Sequence, residues 1–188
     1  MAEELQSPSD AGQLIGRGEQ CCRKEEFAEA IECFRRAQEL GSKEALVSLA
    51  YMHRYGYGLE QSYPEALRLY KQAAESGVSR AMFHVGSFYR SGFGVPVDFA
   101  EAGKWFRMGA DQGHPDAANC LAQLYLEGKG LPPNSGEAFK LYKIAAEQGC
   151  GSAQYNLGWM YHRGEGVEKN DELAQHWFKL AAEQQISS

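Results

Sequence analysis

The sequence has no apolar run near the roughly 20 residues that cross a bilayer. It opens on Met1-Ala2-Glu3-Glu4, an acidic stretch without the apolar segment of a secretory signal or the basic character of a transit peptide, so a cytoplasmic location is expected. It has no Cys-x-x-Cys, no His-Glu-x-x-His and no histidine pair at i, i+4, so no metal site is expected. Basic residues are short: 19 Lys and Arg face 25 Asp and Glu, a formal charge of -6. Such a chain lacks the broad positive field of a nucleic-acid binder. Membrane, nucleic acid and cofactor are therefore not expected partners.

The 188 residues amount to about one domain; 44% are apolar and 23% charged, the balance of a chain with a packed core. The five cysteines, Cys21, Cys22, Cys33, Cys120 and Cys150, are odd in number, which favours reduced, mostly buried thiols.

A repeat dominates. Gly41, Gly77, Gly113 and Gly149 lie 36 residues apart, and the register holds without a gap. Ala45, Ala81, Ala117 and Ala153 match, as do Leu49, Val85, Leu121 and Leu157. The next position is always small: Ala50, Gly86, Ala122, Gly158. His53, Tyr89, Tyr125 and Tyr161 follow, then a Gly-x-Gly at 56–58, 92–94, 128–130 and 164–166. The second half repeats Ala66, Ala102, Ala138 and Ala174, then Tyr70, Phe106, Tyr142 and Phe178, then Ala73, Gly109, Ala145 and Ala181. Spacings of four and three mark one face of a helix. Each unit reads as a first helix, a glycine turn, a second helix and a glycine stop. A thin hairpin of this kind buries its apolar faces only by stacking on its neighbours.

Ser62, Asp98, Asn134 and Asn170 share an N-cap column, with Glu65, Glu101 and Glu137 three residues on. A reciprocal capping box is expected in those three copies, and a weaker helix start where Leu173 replaces the glutamate. Residues 11–41 form a related hairpin without a Gly-x-Gly, preceded by a flexible tail at 1–10. Gln175 and Gln185 replace an apolar residue and the stop glycine, which reads as a C-terminal cap. Gly103 and Gly109 each cost about 0.8–1 kcal/mol in an exposed helix interior, so residues 99–112 are expected to be the softest interior segment.

The pattern Ala-x3-(Leu/Val)-(Ala/Gly)-x2-(Tyr/His)-x2-Gly-x-Gly-(Val/Leu), then Ala-x3-aromatic-x2-(Ala/Gly), resembles the Sel-one-like repeat family, a relative of the tetratricopeptide repeats. The resemblance covers units 42–77, 78–113, 114–149 and 150–185; residues 11–41 resemble one tetratricopeptide unit. It implies an all-α, right-handed solenoid of about five antiparallel helix pairs, and an adaptor or scaffold role without catalysis. Residues 42–113 hold no cysteine, which separates the chain from the secreted branch that carries a cysteine pair in every repeat.

By the same resemblance the first helices line a concave groove. Columns that avoid the core are Val47, Phe83, Asn119 and Tyr155; Tyr51, Ser87, Gln123 and Trp159; Arg54, Arg90, Leu126 and His162; and Glu44, Arg80, Asp116 and Ser152. The expected partner is a protein segment, extended or helical, bound by a chain that is monomeric when alone. Arg54, Arg80 and Arg90 would meet carboxylates. Tyr51, Phe83, Tyr155 and Trp159 would hold apolar groups, and Ser87, Asn119, Gln123 and His162 would supply polar contacts. Two alternatives stay open: the aromatics pack between helices, or a partner uses the convex face. A third reading is a hydrolase or small-ligand-binding protein on the same repeats. Ser48, His84, Cys120 and Asn156 share one column, and Cys, His and Asn together suggest a thiol nucleophile. Neighbouring helices about 8–10 Å apart argue against contact between them.

Overall fold

The computed structural model describes residues 8–186, which form ten helices in five antiparallel pairs. They are α1 (Pro8–Arg23) with α2 (Phe27–Glu39), α3 (Lys43–Tyr55) with α4 (Tyr63–Glu75), α5 (Ser79–Ser91) with α6 (Phe99–Asp111), α7 (Pro115–Glu127) with α8 (Ser135–Glu147), and α9 (Gly151–Arg163) with α10 (Asp171–Ile186). Each second helix also packs on the first helix of the next pair. The expected all-α solenoid of about five pairs is therefore what the chain forms. Residues 1–7 of the expected tail lie outside the described residues, whereas Pro8–Asp10 are the first turn of α1. Gln185 offers no left-handed stop, and α10 runs to Ile186, 16 residues against 13 in α4, α6 and α8.

The repeat columns are the core. Ala45, Ala81, Ala117 and Ala153 have no exposure, nor have Ala66, Ala102 and Ala138. The small column is small because a ring of the following helix lies on it. A Cβ on Gly86 would sit 2.6 Å from Phe106, and one on Gly158 would sit 2.7 Å from Phe178. The partner of the small residue is thus the aromatic on the second helix of its own pair. The aromatic column one turn further has a different use at Tyr89. Lys71 of α4 donates to the Tyr89 hydroxyl of α5 at 2.7 Å, tying one pair to the next. His53 in that column has a buried Nδ1 without a hydrogen-bond partner.

The second helices start as half of the expected capping box. Ser62, Asp98 and Asn134 accept from the amides of Glu65, Glu101 and Glu137 at 3.3, 2.9 and 3.0 Å. The reciprocal bond is not made. The amides of Ser62, Asp98 and Asn134 donate instead to the carbonyls of His53, Tyr89 and Tyr125. The glutamates turn forward to Arg68, Lys104 and Lys140. Leu173 consequently loses no cap: its amide donates to Asn170 at 2.9 Å as in the other copies.

In the glycine turn the first glycine ends the helix in the left-handed region, φ 73° at Gly56 and 74° at Gly92. The second is also left-handed and lies against the preceding pair. A Cβ on Gly58 would be 2.7 Å from Phe27 Cβ, and one on Gly94 would be 2.9 Å from Tyr63 Cβ. The turn is therefore a stacking contact as well as a chain reversal. In α6, the expected soft spot, Gly103 and Gly109 are buried, and their missing side chains make room for Leu131 and Ala117.

Candidate partner-binding face

The first helices of successive pairs touch, α5 on α7 and α7 on α9; no second helix contacts another to that extent among the described residues. From α5 to α9 the stack is thus tighter on the side of the first helices. That side is also electrically distinct. The five first helices carry seven Lys and Arg against five Asp and Glu, in a chain of net charge -6. The remainder therefore carries -8. Helix α5 has Arg80 and Arg90 and no acidic residue.

The candidate residues fall into two groups. At the N-terminal end, Tyr51 and Arg80 line a pocket of about 330 Å³ with Glu19, Cys22, Arg23, Phe34, Val47, Ser48, Met52 and His84. The pocket lies between α1, α3 and α5. Val47 differs from its expected exposed position: it is 2% exposed and belongs to the floor. The Arg54 guanidinium lies over Tyr55 at 5.0 Å, Phe93 at 5.4 Å and Phe88 at 5.5 Å. Tyr51, Tyr55 and Tyr57 form an exposed cluster with ring centroids 4.5–6.0 Å apart.

At the C-terminal end, exposed Tyr155 packs against Trp159, and both rings meet Phe178 at 5.6 and 5.5 Å. Arg163 lies over Trp159 at 4.8 Å. His162 Nδ1 is 2.7 Å from Asp171 Oδ1. That contact and Lys169 hold the Asp171 carboxyl below its ordinary range.

Between the two groups the candidates are engaged within the chain. Phe83 is half-buried and stacks on His114 at 5.2 Å. Ser87 differs from the expected exposed column: it is buried, and its hydroxyl donates to the Phe83 carbonyl at 2.9 Å. Arg90 donates to Cys120 Sγ at 3.2 Å and lies over Phe106. Asn156 donates to Asn119 at 3.1 Å, and Gln123 to Glu127 at 2.9 Å. Part of the aromatic set does pack between helices, the open alternative, while Tyr51 and Tyr155 remain about half exposed.

The Ser48, His84, Cys120 and Asn156 column lacks the electrostatics of a thiol nucleophile. Burial, then the charges of Arg54 and Arg80, push His84 down to about 3, so it is neutral. Burial pushes the Cys120 thiol up in spite of Arg90. An activated thiolate requires the reverse of both shifts. Sequence reasoning passed over α1, whose Glu19, Cys22 and Arg23 complete the pocket. Their column has no counterpart in the gapless register, because the first hairpin has a shorter turn. It also passed over Cys21, Glu26 and Glu29, whose ligand atoms lie within 4.8 Å of one another.

Ten helices stacked as five hairpins, with small and aromatic columns repeated in register, define a tetratricopeptide-related solenoid. The Sel1 repeat model matches residues 11–42, 43–78, 79–114, 115–150 and 151–185. The chain belongs to the Sel1 repeat family, and its first hairpin is matched as a repeat although it lacks the Gly-x-Gly. A Sel1 repeat protein from Oxalobacter formigenes is 35% identical, with a TM-score of 0.76 over 82% of this chain and 62% of that one. The protective antigen c5321 of uropathogenic Escherichia coli, described as an SLR fold, is 35% identical, with a TM-score of 0.82 over 93% of this chain and 38% of that one. Both relatives are longer than this chain. The immunity protein Pa5087 of Pseudomonas aeruginosa shares the fold at 21% identity and a TM-score of 0.63, over 96% of this chain and 71% of that one. No match was found among curated proteins. The Sel1 repeat fold generally mediates protein–protein interaction, and no described helix is long and apolar enough to cross a membrane.

Proposed function

We propose that the protein is a non-enzymatic adaptor whose first-helix face forms a concave groove for a segment of a partner protein. The observation that carries this reading is the coincidence of exposure and charge on that face. Tyr51 and Tyr155 are 44% and 49% exposed there, and the first helices are net basic in an acidic chain. Aromatic rings beside arginine are the composition of interface anchors. The two aromatic groups stand three first-helix steps apart, at least about 25–30 Å, since packed helices lie about 8–10 Å apart. An extended segment needs at least about 8–9 residues to span that distance. The neutral His84 and raised Cys120 thiol weigh against catalysis in that column. Five free cysteines suit a reducing, cytoplasmic compartment, with the chain monomeric until its partner binds.

The test is capture of partners from native extract by the intact chain and by variants carrying Arg80→Ala, Phe83→Ala or Trp159→Ala. Loss of the same partner band in at least two variants, with helicity and melting retained, supports the groove. Undiminished capture by all three removes it.

A further inference from the structure

The pocket between α1, α3 and α5 has a more definite chemistry than the face around it. Its floor is apolar: Phe34, Val47 and Met52 are buried, and His84 adds a neutral ring stacked on Tyr70 at 4.5 Å. Its volume, about 330 Å³, suits a single large side chain and the backbone beside it. Its rim carries Arg23, Arg80 and Glu19, with Arg54 next to Tyr51. Neither Arg23 nor Arg80 has an ion-pair partner among the described residues. Burial first, then the guanidinium groups of Arg54 and Arg80, disfavour a positive charge on the His84 ring. An apolar cup whose rim holds two unpaired arginines against one glutamate is complementary to an apolar side chain flanked by acids.

We propose that this pocket is the anchor site for an acidic partner segment: one large apolar side chain seats between α1, α3 and α5, and flanking Asp or Glu carboxylates meet Arg80 and Arg23. The proposal rests on the groove reading and narrows it to one end and one partner chemistry. It also gives the first hairpin a role in recognition, since α1 forms one wall. A built-in reporter is present. Cys22 lines the pocket, with its Sγ 3.9 Å from Met52 Sδ, and it is the one cysteine that is not buried. An occupant of the cup covers it.

The probe is a random 12-residue peptide library displayed on phage and selected on the intact chain. Enriched peptides are then synthesised and titrated by fluorescence polarisation. The proposal expects enriched sequences with a Leu, Ile, Met or Phe among Asp and Glu. They should slow N-ethylmaleimide labelling of Cys22 at least tenfold at saturation. Arg80→Glu should weaken binding at least tenfold and Arg80→Lys much less, both with unchanged melting. No enrichment, neutral or basic enriched peptides, Cys22 labelled at the free rate, or equal affinity for Arg80→Glu each overturns it. Trp159→Ala separates the two readings. Peptides that ignore Arg80 but lose affinity with Trp159→Ala sink the anchor and keep the groove, and peptides indifferent to both sink both.

Discussion

If the second glycine of each turn is a stacking contact, alanine there must cost more than alanine at a stop glycine. Gly113 and Gly130 make the comparison clean, because both are left-handed, φ 79° and 69°. Alanine at either position pays the left-handed penalty of about 1–2 kcal/mol. A less flexible unfolded chain returns about 0.4–1 kcal/mol of that. A Cβ on Gly113 meets nothing within 4 Å, so Gly113→Ala should cost about 1 kcal/mol. A Cβ on Gly130 would sit 2.6 Å from the Phe99 carbonyl oxygen and closer still to Phe99 C and Ala100 N. These are backbone atoms of the first turn of α6 and cannot rotate away. Overpacking of this sort adds about 1–3 kcal/mol, for a total of about 2–4. In a chain of this size each kcal/mol lowers Tm by roughly 2–4 °C. Thermal melts followed by circular dichroism should give a drop of about 2–4 °C for Gly113→Ala and two to three times that for Gly130→Ala. Equal drops would refute the view that the turn packs on the preceding pair.

Four further outcomes follow from named contacts. The folded state keeps His84 neutral down to about pH 3, whereas the unfolded chain protonates it near 6.5, so acid favours unfolding across that window. Between pH 6.5 and 5 the native protein should lose about 2 kcal/mol that a His84→Gln variant keeps, read from urea titrations at both pH values. Asn134→Ala removes a bond actually made to the Glu137 amide and should cost about 1 kcal/mol. Glu137→Ala removes an exposed ion pair with Lys140 and no capping bond, so denaturant midpoints should show less than about 0.5 kcal/mol. Gly86→Ala drives a methyl into the Phe106 ring and should cost about 1–3 kcal/mol in the same assay.

The architecture was legible in the sequence because stacking repeats one packing problem four times. Gly86 and Gly158, or Phe106 and Phe178, answer the same steric demand, so their columns show without any structure. Phase within a column was harder. Val47 and Ser87 share columns with exposed Tyr155 and Gln123, yet both are buried, since neighbours that differ between copies decide exposure. The capping glutamates looked reciprocal because their spacing permits it; what defeats the box is the carbonyl of the preceding helix, a tertiary acceptor that spacing cannot show. The pocket was illegible for a related reason. Its α1 wall sits in the unit whose turn is shorter, outside the gapless alignment that made the other four units plain.

The central claim, that the first-helix face meets the partner, is tested most directly by hydroxyl-radical footprinting of the protein free and saturated with its captured partner or selected peptide. Tyr51 and Tyr155 on first helices are 44% and 49% exposed, and Met108 and Ile144 on second helices are 44% and 49% exposed. All four are therefore open to labelling in the free protein. The account predicts that binding protects Tyr51 or Tyr155 while Met108 and Ile144 label at their free rates. Protection of Met108 and Ile144 with the tyrosines unchanged would contradict it.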